Sequence, residues 1–268
     1  MFRFSFSTLI GFCAGIGLFI FAVMSSTSNY QIFVSISSLA LVLGSTLAAS
    51  LISYSTMDVL CAVKSMMQTF LHSPTSQRHL REIAQRFVEW STIYRQGGVA
   101  ALESSLTPAD LKDEYVRDGI EMIGAGYKNH DIRILLTDQM DATWQRHTLE
   151  SKVLNTMAVY SPGFGMVGTI VGLIIMLDNL NGDMAGLGKG LALALITTLY
   201  GVVLANLFFK PAANQVTEKQ ETMYFRHQLI MEGFVLLAEK RDALYIQDRL
   251  NAYLKPNARM KALTEELE

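Results

Sequence analysis

Hydrophobic and charged positions are segregated along this chain. After Arg3 no Asp, Glu, Lys or Arg appears until Asp58, an interval of 54 residues; Lys152 and Asp178 enclose 25 more, and Lys189 and Lys210 enclose 20. A helix that crosses the hydrocarbon layer needs about 20 mostly apolar residues. The first interval therefore predicts two spans and each of the others one, placed at roughly Phe4–Met24, Ile32–Ile52, Thr156–Leu177 and Gly190–Phe209. The first run follows Arg3 as a secretory signal would. It is too long for one, and a second span follows after the polar turn Ser25–Asn29, so it reads as a retained helix.

Between the second and third spans the periodicity is helical, with little strand signal. Ser73 or Ser76 is placed to open a helix whose inner face carries Ile83, Phe87, Trp90 and Ile93, with a Glu82–Arg86 pair outside and Gly97-Gly98 as its end. Thr107-Pro108 starts a second helix, with Leu111, Tyr115, Ile120 and Ile123 inward. A third runs from about His130 to Glu150 and leads into the third span. The tail continues as helix past Pro211, with Val216, Met223, Phe225, Leu229, Ile230, Val235 and Leu237 as packing positions. The expected protein is an all-α polytopic membrane protein: residues 1–52 carry the first two spans and 152–209 the last two. Residues 53–151 and the tail 210–268, each too small to bury a core alone, pack together as a helical cytoplasmic domain.

Charge sets the orientation and narrows the function. Segment 53–151 holds ten Lys and Arg and the tail nine, whereas the turn at 25–31 holds none and the 178–189 connection holds only Lys189. Positive residues stay inside, so both termini and the large loop are expected in the cytoplasm. Net charges of −3 for 53–151 and 0 for the tail do not suit nucleic acid. Cys13 and Cys61 fall in different compartments and cannot pair. His72, His79, His130, His147 and His227 lack metal-ligand spacing, and no P-loop, HExxH or Ser–His–Asp arrangement occurs. An enzyme, a bound metal and a cofactor are therefore not expected.

The chemistry is expected in the third and fourth spans. Gly165, Gly168 and Gly172 in one, and Gly190, Ala194, Thr198, Gly201 and Ala205 in the other, recur at three- and four-residue steps that let helix backbones approach. Thr169 lies eight residues before Leu177 and Thr198 eight after Gly190, with Thr197 beside it, so Thr169 and Thr198 sit at one depth, about 12 Å below the outer boundary. Such hydroxyls suit a hard cation or a short file of water, and equally a bond back to their own helix. No Asp, Glu, Lys, Arg or His lies inside any of the four spans. Ion translocation ordinarily needs one, so an acid would come from another chain. Pro162 and Pro211, both toward the cytoplasmic side, permit bends there or simply mark helix ends.

The runs Ser161-Pro162-Gly163-Phe164-Gly165-Met166-Val167-Gly168-Thr169-Ile170-Val171-Gly172-Leu173 and Leu195-Ile196-Thr197-Thr198-Leu199-Tyr200-Gly201 resemble the A subunit of the bacterial flagellar stator. That MotA/PomA type belongs to the wider MotA/TolQ/ExbB proton channel family. The stretch Tyr94–Glu103 is similar to the family's rotor-facing motif, in which Arg95, the glycine pair and Glu103 would engage the rotor switch protein (FliG type). The resemblance covers nearly the whole chain. It implies an inner-membrane ring of five A subunits around two copies of a B subunit (MotB/PomB type), whose transmembrane Asp supplies the missing carboxylate and whose periplasmic domain grips peptidoglycan. It also implies Thr198 as the shared pore threonine and Pro162 and Pro211 as the coupling prolines. Thr169 and Thr197 resemble the sodium-driven subgroup and favour Na+ over H+. Val159 departs from it where a sodium-type relative has Asp, and Gln96 replaces a basic residue seen in some relatives. Two other readings stay open: an energiser of outer-membrane processes of the TolQ/ExbB type, which has three spans and lacks the Arg–Gly–Gly–Glu stretch, and a non-conducting scaffold.

Overall fold

The computed structural model describes residues 6–69, 77–179 and 184–260, which form helices and connecting turns with no strand among them. Arg3, the start of the first expected span at Phe4, His72, and the helix openers Ser73 and Ser76 lie outside the described residues. The helices are α1 (Phe6–Ser26), α2 (Ile36–Ser53), α3 (Thr56–Thr69), α4 (Gln77–Ser104), α5 (Pro108–Lys112), α6 (Glu114–Gly124), α7 (Asn129–Asp178), α8 (Met184–Val203), α9 (Lys210–Ala238) and α10 (Ala243–Asn251). The chain divides into two compact units, Met1–Ser73 with His147–Glu218 and Pro74–Arg146 with Lys219–Glu268.

The first unit is packed with its polarity reversed. Three helical stretches, Tyr30–Ser53, Asn129–Asp178 and Gly186–Ala238, are long and apolar enough to cross a membrane, and Ile10–Ser26 is a shorter apolar helix. Their large side chains face outward: Val159 is 72% exposed, Ile174 60% and Leu195 64%. In water so much exposed apolar surface would aggregate; hydrocarbon and neighbouring membrane helices are the surroundings that suit it. α2 turns Ser38, Thr46 and Ser50 inward with Val42. The Thr46 and Ser50 hydroxyls donate to the carbonyls of Val42 and Thr46 at 2.7 and 2.8 Å, so no hydroxyl is left orphaned there. An apolar cluster of Val59, Val153, Met157, Phe209 and Val216 joins α3, α7 and α9.

The second unit follows the rule of water-soluble proteins. Phe87, Trp90 and Phe234 meet with ring centroids 5.0 to 6.4 Å apart, and Ile120, Ile123, Leu229, Ile230, Val235 and Leu237 close around them. The loop and the tail thus share one core, as expected. Glu232, 3% exposed, receives Arg133 at 3.0 Å and Arg249 at 2.9 Å and ties α7, α9 and α10.

Local expectations fare unevenly here. Thr107 caps α5 with a reciprocal capping box to Asp110, and Pro108 follows, as expected. Leu111, expected inward, is 46% exposed, because Asp113 ends α5 and restarts the chain as α6 in a new register. Gly97-Gly98 ends the first helical stretch of α4, as expected: Gly98 adopts φ 68°, ψ −158°, and a second helical stretch follows across this kink to Ser104. Arg86 does not pair with Glu82. It reaches Asp110 at 2.8 Å and Glu89 at 3.2 Å, because the capping box holds the Asp110 carboxylate close by; the contact raises the Arg86 pKa.

Two outcomes follow from this core. A Cβ at Gly119 would stand 2.3 Å from the buried Phe234 ring, so Gly119→Ala should destabilise the unit by roughly 1–3 kcal/mol. Adding Phe234→Leu should recover part of that loss, read by a double-mutant cycle on thermal unfolding. His227 stacks on Tyr115 at 4.3 Å, and burial, reinforced by Arg226, pushes its imidazole down to about 4 from the ordinary 6.5. The unfolded chain therefore takes up the proton first, and the unit should lose stability as pH falls from about 6.5 toward about 4. Hydrogen exchange in α6 and α9 against pH checks this; His227→Asn should flatten the dependence.

Candidate functional site

The contact between α7 and α8 is made by backbone. A Cβ on Gly172 would stand 2.5 Å from the Ala194 nitrogen, and one on Gly190 would stand 2.7 Å from the Met176 nitrogen. At Gly168 it would stand 2.5 Å from the Thr197 side chain, at Gly201 2.7 Å from the Ser161 carbonyl, and at Gly165 3.0 Å from the Thr197 carbonyl. Ala194 is 1% exposed in the same seam. Gly165, Gly168, Gly172, Gly190, Ala194 and Gly201, six of the small residues expected at a packing face, meet here. No larger residue fits at the tightest of these points.

This closeness brings two threonines together. Thr169 Oγ1 on α7 lies 2.5 Å from Thr198 Oγ1 on α8. Thr169 Oγ1 also lies 3.2 Å from both the Gly165 and Ala194 carbonyl oxygens, and Thr198 Oγ1 lies 3.4 Å from each. Four oxygens from two helices converge, and two hydroxyl protons cannot saturate all their lone pairs. Both side chains are half-buried. Such an uncharged oxygen cluster can take the place of part of a hard cation's hydration shell or pass a proton between hydroxyls. It carries no acid of its own.

Thr197 stands apart from the pair. Fully buried against Gly168, it donates back to the Leu193 and Ala194 carbonyls at 2.9 and 3.0 Å. Pro162 sits inside α7, at the point where Gly201 of α8 crosses it, and the buried Ser161 hydroxyl donates to the Gly201 carbonyl at 3.1 Å. Pro211 is the second residue of α9 and follows a wide π-type turn, Leu204–Phe209. A proline N atom cannot donate to the preceding turn, and the wide turn carries the helix past that gap. Arg95 and Glu103 lie on either side of the Gly98 kink, both exposed and without ion pairs among the described residues.

Sequence reading passed over Ser161 and Tyr200. The Tyr200 hydroxyl donates to the Phe33 carbonyl at 2.7 Å and accepts from the Ser35 N–H at 3.0 Å, anchoring the start of α2. A phenol within an apolar run was the available signal, since a buried Tyr hydroxyl nearly always has a partner.

Residues 108–228 match the model of the MotA/TolQ/ExbB proton channel family. Motility protein A of Aquifex aeolicus is 32% identical over 214 residues, covering 80% of this chain and 82% of that one. The chain belongs to this family. Chemotaxis protein PomA of Vibrio alginolyticus is 27% identical over 259 residues, 97% of this chain and 99% of its own. The fold matches the structure of C. jejuni MotAB with a TM-score of 0.85 at 20% identity, over 96% of this chain and 99% of that one. The chain is thus of the MotA type, and these two curated relatives are named as motility and chemotaxis proteins.

The seam separates tolerated from forbidden substitutions. Gly163→Ala meets nothing within 4 Å and should leave membrane accumulation and motility unchanged. Gly172→Ala should lower the thermal midpoint of the detergent-solubilised complex and reduce swimming at least severalfold.

Proposed function

We propose that this stator subunit forms, with a B subunit of the MotB/PomB type, an inner-membrane channel that passes Na+ in preference to H+ and turns the flow into torque on the flagellar rotor. Four spans, with α1 as the first, place both termini and the second unit in the cytoplasm. Five copies surround the B subunits. What carries the reading is the Thr169–Thr198 oxygen cluster in spans without Asp, Glu, Lys, Arg or His. An intramembrane cation site needs a counter-charge, so the transmembrane Asp of the B subunit completes the site. Thr169 and Thr198 supply neutral ligands, while Thr197 shapes the seam behind them.

Torque leaves through the second unit. Pro162, inside α7 near the start of the third span, and Pro211, where the fourth span gives way to α9, weaken the helix ladder, and these are the points at which a change at the ion site becomes a bend. Arg95 and Glu103, exposed and without ion pairs among the described residues, present opposite charges to a rotor switch protein of the FliG type. Electrostatic contacts of this kind form and break quickly, as a stepping interface requires.

At fixed pH and membrane potential, swimming speed should rise with external sodium and saturate; speed that is indifferent to sodium and follows the proton gradient would assign H+ instead. Thr198→Ala should abolish swimming while the complex still accumulates in the membrane, and Thr198→Ser should keep most of the speed.

A further inference from the structure

The second unit closes two helices with the same hydrogen-bond pattern. At the end of α6, Tyr127 N–H donates to the Met122 carbonyl at 3.0 Å and Gly126 N–H to Ile123 at 3.1 Å; at the end of α9, Arg241 N–H donates to Leu236 at 3.2 Å and Lys240 N–H to Leu237 at 2.9 Å. This closure requires one residue in the left-handed region, where glycine is the usual occupant because it has no Cβ to clash. α6 uses Gly126 at φ 76°. α9 uses Lys240 at φ 55°, the one non-glycine residue with positive φ among the described residues. A non-glycine residue held in this region costs backbone strain that glycine would relieve, and such strain concentrates where the side chain has another task.

The Lys240 side chain is exposed, and its Nζ lies 6.0 Å from the Tyr94 ring centroid, at the outer limit of cation–π attraction. Tyr94 adjoins Arg95 on α4. The neighbouring Arg241 has its charge offset by Glu239 at 2.8 Å, and Glu239 also accepts from Asn129 at 2.9 Å. Lys240, like Arg95, has no ion pair among the described residues. Two uncompensated cations thus stand at one end of the unit, one beside Tyr94 in sequence and the other over its ring.

We propose that Lys240 is a second cation of the rotor-facing surface, held there to meet an acidic patch on the rotor protein. This rests on the reading of Arg95 and Glu103 as rotor contacts. The structure then trades helix-end stability for an interaction made outside the chain.

The test places variants of the full chain in motile cells lacking their own copy, with torque read from tethered cells and thermal midpoints from the purified stator complex. Lys240→Gly should keep or raise the midpoint and lose at least half of the torque, and Lys240→Arg should restore it. Wild-type torque in Lys240→Gly, alongside lost torque in Arg95→Glu, would overturn the role of Lys240 and leave the rotor reading standing. Wild-type torque in both would overturn the rotor reading as well. A midpoint lowered by Lys240→Gly would also overturn the proposal, because the lysine would then serve the fold.

Discussion

The close approach of α7 and α8 governs what the first unit can do. Where Gly172 and Gly190 face each other, the two backbones leave no room for a Cβ, and the dispersion gained along such a seam is the main attraction available to helices in hydrocarbon. The same proximity places Thr169 and Thr198 within one hydrogen bond of each other. A wider seam would leave each hydroxyl bonded only to its own helix, as Thr197 is. Packing and chemistry share one cause, so the glycines are as much a part of the oxygen cluster as the threonines.

Two packing rules operate in one chain. The first unit buries Ser38, Thr46, Ser50, Ser161 and Thr197 and exposes many large aliphatic residues, Val159, Ile174 and Leu195 among them. The second buries Phe87, Trp90 and Phe234 and holds a buried carboxylate between two arginines. α7 and α9 contribute to both units, and α7 changes character accordingly, from charged and amphipathic to apolar and small. Pro162 lies on the apolar side of that change, and Pro211 follows the π-type turn that ends the apolar run before α9.

Much of this was legible because charge is an unambiguous signal. The intervals free of Asp, Glu, Lys and Arg located the apolar helices, and residue counting from their ends put Thr169 and Thr198 at one depth, where the structure joins them. Facing within a helix was harder to read. Thr197 and Thr198 are adjacent, and only three-dimensional packing decides which one faces Gly168. The polar stripe of α2 was missed because Ser and Thr score as nearly neutral in an apolar run, although Ser38, Val42, Thr46 and Ser50 recur every four residues. The Glu82–Arg86 pair failed because helix spacing knows nothing of Asp110, which its capping box brings to Arg86 from another helix.

The central claim is that this chain supplies neutral oxygens and borrows its charge. Sodium flux into proteoliposomes tests it most directly, with the chain reconstituted alone, with its B subunit, and with a B subunit whose transmembrane Asp is changed to Asn. Flux should appear only with the intact B subunit. Comparable flux through the chain alone, or undiminished flux after the Asp→Asn change, would contradict the claim.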